Sequence, residues 1–279
     1  MAIRVVDICR YPVKGLSAER LERVALSRGE GLPHDRRFAI AHADVRFDPE
    51  RPEWLPKTNF LMLMRDEKLA RLRTRFDDES GTLTIERDGK RLVRAKITEP
   101  AGRARIGEFF AAFMADAARG APKVLEAPGH TFSDASRKPG TNTYKYVSIV
   151  NLASVRELER FVGRPVDPIR FRANVYLDGA PAWAEFDWTG REIAVGGTRL
   201  CVVSPIDRCA ATMVNPTTAE RDLNVPRALK RGFGHVDMGV YAEVIAGGEV
   251  AAGDAVAVAG APLGTAGRAR ARARRMKSS

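Results

Sequence analysis

The sequence predicts a mainly β (α+β) protein, with an N-terminal β-barrel unit followed by a second barrel-type domain that carries a few helices. Three observations support this. Short runs rich in Val, Ile, Leu, Phe and Thr recur between polar turns, several of them alternate apolar and polar residues, and only a few segments show the spacing of one helical face.

In chain order, the runs at 3–8, 21–26, 37–41, 69–76, 82–87 and 91–97 read as strands. The last two alternate across Asp88, Gly89 and Lys90, which predicts a hairpin with one wet face. Within 105–119, Ile106, Phe109, Phe110, Phe113 and Met114 fall at helical spacing, and Gly120 can end that helix. This aromatic stripe reads as core. Asn151 is a good N-cap for a second helix running through Val155, Leu158, Phe161 and Val162 to Gly163. Strands resume at 171–177, 192–195, 199–203, 236–245 and 255–258, with a short helix at 226–230. The implied organisation is one domain at 1–118, a second at 119–262 and a disordered basic tail at 263–279.

Composition narrows the function. With 279 residues, 44% hydrophobic and 29% charged, the chain has ordinary globular character. Arg4 and Asp7 interrupt the early apolar run, so it is no export signal, and no stretch is apolar enough to span a bilayer. The expected address is the cytoplasm. Three widely spaced cysteines, Cys9, Cys201 and Cys209, argue for free thiols, and they are too few for a four-cysteine iron–sulfur cluster. Any electrons the protein uses must therefore come from elsewhere. Six of the +11 net charges lie in the tail, on Arg268, Arg270, Arg272, Arg274, Arg275 and Lys277, which reads as a solvated extension and not as a specific nucleic-acid site.

Cys209 is the candidate reactive group. An apolar run ends at Val203, Pro205 is expected to stop strand pairing, and Cys209 follows Arg208 in the ensuing loop, where reactive groups are commonly mounted. The guanidinium favours the thiolate and Asp207 opposes it, so the residues alone leave both a functional and an inert thiol open. Cys9 and Cys201 sit in strand patterns and read as small hydrophobes. His34, His42, His130 and His235 show no zinc spacing, and the loop Gly232-Phe233-Gly234-His235 reads as a structural turn. No Walker loop, nucleophile elbow or dinucleotide fingerprint is present.

Six segments in order carry a resemblance. They are Tyr11-Pro12-Val13-Lys14-Gly15-Leu16, Gly31-Leu32-Pro33-His34-Asp35-Arg36-Arg37-Phe38, Phe132-Ser133-Asp134-Ala135-Ser136, Arg170-Phe171-Arg172-Ala173-Asn174-Val175, Asp207-Arg208-Cys209-Ala210-Ala211-Thr212-Met213-Val214-Asn215-Pro216 and Val250-Ala251-Ala252-Gly253-Asp254-Ala255-Val256. In this the chain resembles the MOSC (molybdenum cofactor sulfurase C-terminal) family with its N-terminal β-barrel domain, including the amidoxime-reducing components. The resemblance implies a molybdenum cofactor whose metal is bound by the Cys209 thiolate, with Lys14, Arg36, Asp134, Ser136, Arg172, Asn174, Asp207 and Arg208 holding the pterin and its phosphate. It also implies an oxidoreductase that reduces N-hydroxylated or N-oxide small molecules with electrons from a ferredoxin- or flavin-type protein, or else a sulfur or cofactor carrier that uses Cys209. A family-level association with pyridoxal phosphate has no residue assigned to it here. Three departures bear on substrate more than on cofactor: Gly15 stands where many relatives have serine, Asp207 where the amidoxime-reducing proteins have a small hydroxyl residue, and Ala135 in place of a threonine of the polar loop.

Overall fold

The computed structural model describes residues 2–135 and 145–259; the predicted tail at 263–279 and Ser136 lie outside them. Within those residues the chain is mainly β, with fifteen strands, three α-helices and short 3-10 turns.

An eight-stranded sheet forms the larger half. Its strands are β1 (Arg4–Arg10), β2 (Glu19–Leu21), β9 (Val147–Asn151), β10 (Val175–Asp178), β11 (Glu192–Val195), β12 (Thr198–Asp207), β13 (Asp237–Ala246) and β15 (Val256–Val258). They lie in the order β15-β11-β12-β13-β9-β10-β1-β2. The sheet is antiparallel except where β9 meets β10, and these two are joined by helix α2 (Leu152–Val162), as a parallel crossover requires. The α2 ends match the sequence reading: the Asn151 side chain accepts from Ala153 N, and Gly163 closes the helix in the left-handed region.

The smaller half is built from β4 (Ala39–Ala41), the meander β5 (Arg73–Asp77), β6 (Thr82–Arg87) and β7 (Lys90–Lys96), helix α1 (Pro100–Met114) and β8 (Lys123–Leu125). Ile106, Phe110 and Met114 of α1 close the core over Leu83, Ile85 and Val93, as the apolar stripe predicted. Strand β3 (Arg23–Leu26) pairs with β14 (Gly248–Ala251), and helix α3 (Val225–Phe233) packs beside α2. Arg4–Arg10 thus sits in one sheet with strands from the far end of the chain, while Val13 and Leu16 after it pack into the core of the smaller half.

Several expected elements differ. The run at 171–177 is a 3-10 turn at Pro168–Phe171 followed by β10, because Arg172 takes a left-handed conformation that no strand continues through. The run at 69–76 likewise opens with a 3-10 turn at Glu67–Arg71. Pro205 does not stop strand pairing. Strand β12 continues to Asp207, with register shifts on both sides of Pro205, and a bulge is where a residue lacking an N–H fits in a sheet. Strands β8, β9 and β14 carried too short or too uniform a pattern to be picked out.

Close packing makes one position decisive. A Cβ on Gly102 of α1 would lie 1.8 Å from the Lys96 carbonyl oxygen, so Gly102→Ala must push the helix off β7. It should destabilise the chain by about 3 kcal/mol in urea unfolding, and an unchanged midpoint would contradict the packing.

Burial also lowers the pKa of His34, His42 and His130 below the usual 6.5. These groups stay neutral in the fold while the unfolded chain takes up protons just below 6.5, so stability rises with pH through that window and is lost as pH falls through it. Urea midpoints measured across 6.5 should drop on the acid side.

Candidate functional site

The site begins where residues 11–14 and 35–38 run side by side. Val13 bridges Phe38 in parallel, Arg36 N donates to Tyr11 O at 2.7 Å, Phe38 N to Pro12 O at 3.0 Å, and Lys14 N to Phe38 O at 2.8 Å. Asp35 accepts from Tyr11 N at 2.8 Å. The polar loop joins them, since Phe132 N donates to Arg36 O at 2.8 Å and the Thr131 hydroxyl to Asp35 O at 3.2 Å. Three of the six motif segments therefore form one surface.

Two guanidinium groups meet on one ring. Arg36 and Arg172 each lie 4.3 Å from the centroid of the fully buried Tyr11 ring, and Arg36 also donates to Arg172 O at 2.8 Å. Both arginines have positive φ, +50° in each case, a conformation that costs about 1–3 kcal/mol and recurs where function holds it in place. Arg36 is ion-paired with Asp35, whereas Arg172 has no carboxylate partner among the described residues and donates to Leu16 O at 2.7 Å. Burial first, and then Arg36, bring the Arg172 pKa down to about 10. For Arg36, burial works against the charge and Asp35 restores it, leaving its pKa raised.

Lys14 extends the cluster. It is 7% exposed, and its Nζ donates to Phe132 O at 2.8 Å and to Asp134 at 2.5 Å. Burial lowers the Lys14 pKa against the pull of Asp134. Burial would raise Asp134, but Lys14, Lys57 and Arg36 hold it below the usual carboxylate range. Gly15 has φ +82° with the Leu61 carbonyl 3.0 Å from where a Cβ would sit, so the backbone itself favours glycine here.

Arg208 links this cluster to Cys209. Its guanidinium donates to Phe171 O at 2.8 Å from one nitrogen and to Met238 O at 2.8 Å from another. Burial lowers the Arg208 pKa, with Tyr241 opposing. Cys209 lies just beyond, half-buried, ahead of the 3-10 turn Ala210–Met213, and its carbonyl accepts from the Thr212 hydroxyl at 2.9 Å. The other thiols are less available: burial raises Cys9 to about 12 and also raises Cys201. Asp207, exposed at the end of β12, stands opposite Asp237 of β13.

Asn174 sits differently from the cations. Its side-chain oxygen accepts from Ser148 N at 3.1 Å and Ser148 Oγ at 2.8 Å, and its amide donates to Cys9 O at 3.1 Å. The side chain thereby ties β1, β9 and the Arg172 loop together, fixing the backbone that carries Arg172.

Models of two families match most of the chain: the MOSC N-terminal beta barrel domain over residues 2–119 and the MOSC domain over residues 130–257. The chain belongs to the MOSC family. Similar proteins include the molybdenum cofactor sulfurases of Caenorhabditis briggsae, 26% identical over 85% of this chain, and of Drosophila erecta, 23% identical over 85%. This MOSC chain spans about a third of the length of those relatives, 33% and 31%. Among solved structures, the YuaD protein of Bacillus subtilis is 14% identical with a TM-score of 0.46, covering 92% of this chain and 96% of its own. YiiM of Geobacillus stearothermophilus is 19% identical with a TM-score of 0.34, covering 42% and 56%.

Sequence reasoning assigned no role to three residues of the site. Tyr11 lies inside the first motif segment, and its value as a platform appears only once two arginines meet on it. Asp35 lies inside the second motif segment beside Arg36, but the sequence gives it no role of its own. Tyr241 sits on β13 opposite Ser148 and Ser204, 5.8 Å from the Tyr146 ring, and a tyrosine within a strand pattern looks like core. Burial raises its phenol, which stays protonated and available as a donor.

A cluster of buried positive charge costs stability until an anion binds. Arg172→Met should raise the urea stability of the empty chain by about 1 kcal/mol while abolishing pyrophosphate binding measured by calorimetry. In wild type that binding should weaken as pH rises through about 10, where Arg172 loses its proton. Destabilisation with undiminished binding would contradict this account of the cluster.

Proposed function

We propose that this MOSC protein binds a molybdenum cofactor, with the Cys209 thiolate bound to the metal, the pterin and phosphate held by Lys14, Arg36, Asp134, Ser136, Arg172, Asp207 and Arg208, and the buried Asn174 fixing the backbone beside Arg172. The observation that carries this reading is the pair of half-buried guanidinium groups on Tyr11, one of them without a carboxylate partner among the described residues. Such a site suits a phosphate-bearing ligand, and a half-buried cysteine beside Arg208 suits a metal already rich in sulfur ligands. When bound, the cofactor would supply two-electron redox chemistry at its metal.

The chain's own groups have distinct parts in this reading. Arg36 and Arg172 bind the anionic end, with their backbone fixed by Asp35 and Asn174. Arg208, held by Phe171 O and Met238 O, keeps a positive charge beside the thiol. Tyr241 offers a protonated hydroxyl towards the same cluster. The activity we assign is reduction of N-hydroxylated or N-oxide small molecules in the cytoplasm. Electrons would come from a separate ferredoxin- or flavin-type protein, since the chain's three cysteines are too few for a four-cysteine cluster of its own. No helix among the described residues is long and apolar enough to cross a membrane.

A second reading has support in the relatives named molybdenum cofactor sulfurase. In it Cys209 carries transferable sulfur, or the site holds the cofactor for delivery. The readings separate on retention, because a reductase keeps molybdenum through many turnovers and a carrier gives up its load to an acceptor protein.

The decisive measurement compares wild type with Cys209→Ser, both produced in a host that makes the cofactor. Wild type should copurify with molybdenum and pterin, and the variant should lose most of its metal together with reduction of a model hydroxylamine. Equal metal content in both proteins would exclude Cys209 as the ligand.

A further inference from the structure

The turn that presents Arg172 also carries Arg170, and the two arginines do different things. Arg170 is 4% exposed. One of its terminal nitrogens donates to both oxygens of Asp222, at 2.6 and 2.8 Å, and the other to the carbonyls of Thr212 and Met213, at 3.4 and 3.2 Å. Thr212 in turn donates to the Cys209 carbonyl from its N–H at 3.1 Å and its hydroxyl at 2.9 Å. A continuous set of hydrogen bonds therefore runs from a buried guanidinium to the backbone of the reactive cysteine.

The other end is equally fixed. Asp222 accepts from Asn215 Nδ2 at 2.9 Å and pairs with Arg164 at 2.8 Å, while Asn215 Oδ1 caps the tight turn at Thr217 and Thr218. The segment from Cys209 to Asp222 is thus a closed loop with Arg170 filling its base.

Stability alone does not explain this arrangement. A buried ion pair gains little over an apolar replacement, and Arg170 Nε is buried with no acceptor among the described residues, which adds a desolvation cost. What the guanidinium provides is geometry, because its fixed plane sets the carboxylate and the two carbonyls relative to one another. Next along the same turn, the Phe171 carbonyl holds Arg208, and after it Arg172 reaches Tyr11.

We propose that Arg170 and Asp222 form a positioning pair that fixes the Cys209 turn against the cation cluster, so that thiol and cations share one frame. Only the second measurement below rests on Cys209 being the metal-binding thiolate.

The first measurement needs no cofactor. Full-length wild type, Arg170→Lys and Asp222→Asn are alkylated with iodoacetamide, and labelling is read peptide by peptide with Cys201 as internal reference. Lysine keeps the charge without the planar fork, and asparagine keeps the shape without the charge, so both variants should fold. The ratio of Cys209 to Cys201 labelling should change by about tenfold in both variants. An unchanged ratio, or a parallel rise at both cysteines from general loosening, would overturn the proposal. In the second measurement, Arg170→Lys loaded with molybdenum should keep its metal while its electron paramagnetic resonance spectrum shifts; an unshifted spectrum counts against the pair. If wild type takes up no molybdenum, the proposed function fails while the labelling result still decides the positioning role.

Discussion

The structure depends on crowding positive charge onto the two edges of a seam. Arg36 and Arg172 converge on Tyr11 although their charges repel and the surroundings are largely desolvated, and each is held on a left-handed backbone. An arrangement of this kind survives only because neighbours over-determine it. Asp35 binds Tyr11 N, Arg36 binds the Arg172 carbonyl, and Asn174 locks the following residues to Ser148 and Cys9. These restraints come from segments separated by more than a hundred positions along the chain, so the cluster exists only in the complete fold.

The rest of the site follows from that crowding. Lys14 and Arg208 sit at its two ends, one tied to the polar loop and the other to the strand β13 side, and the thiol of Cys209 stands beyond Arg208. Its position is set by backbone contacts throughout, with the carbonyls of Phe171, Met238, Thr212 and Met213 all engaged by arginine. Arginine serves here both as scaffold and as recognition group, two uses that look identical in a sequence.

Much of this was legible beforehand, for identifiable reasons. The strand-rich architecture showed in period-two runs, and α2 showed because Asn151 and Gly163 bracket a clean apolar face. Cys209, Lys14, Arg36, Arg172 and Arg208 were legible because a family pattern picked them out; their chemistry alone left them among many surface charges. Strand β9 was not legible, because all five of its residues are buried and a short uniform run lacks alternation. Pro205 misled because a bulge, which is a tertiary feature, decides whether proline can stay in a sheet. Tyr11 was overlooked since its role depends on what approaches it from residues 36 and 172.

The placement of β1 also bears on how the two family segments relate. Residues 4–10 hydrogen-bond to β10 inside the eight-stranded sheet, although they fall within the first segment by sequence. Excising residues 130–257 as a unit would strip that neighbour away and leave the apolar strand Val175–Asp178 as a bare margin open to other chains. The two segments recognised by sequence thus share one sheet, and a fragment that carries the second keeps this margin covered only with the first strand attached.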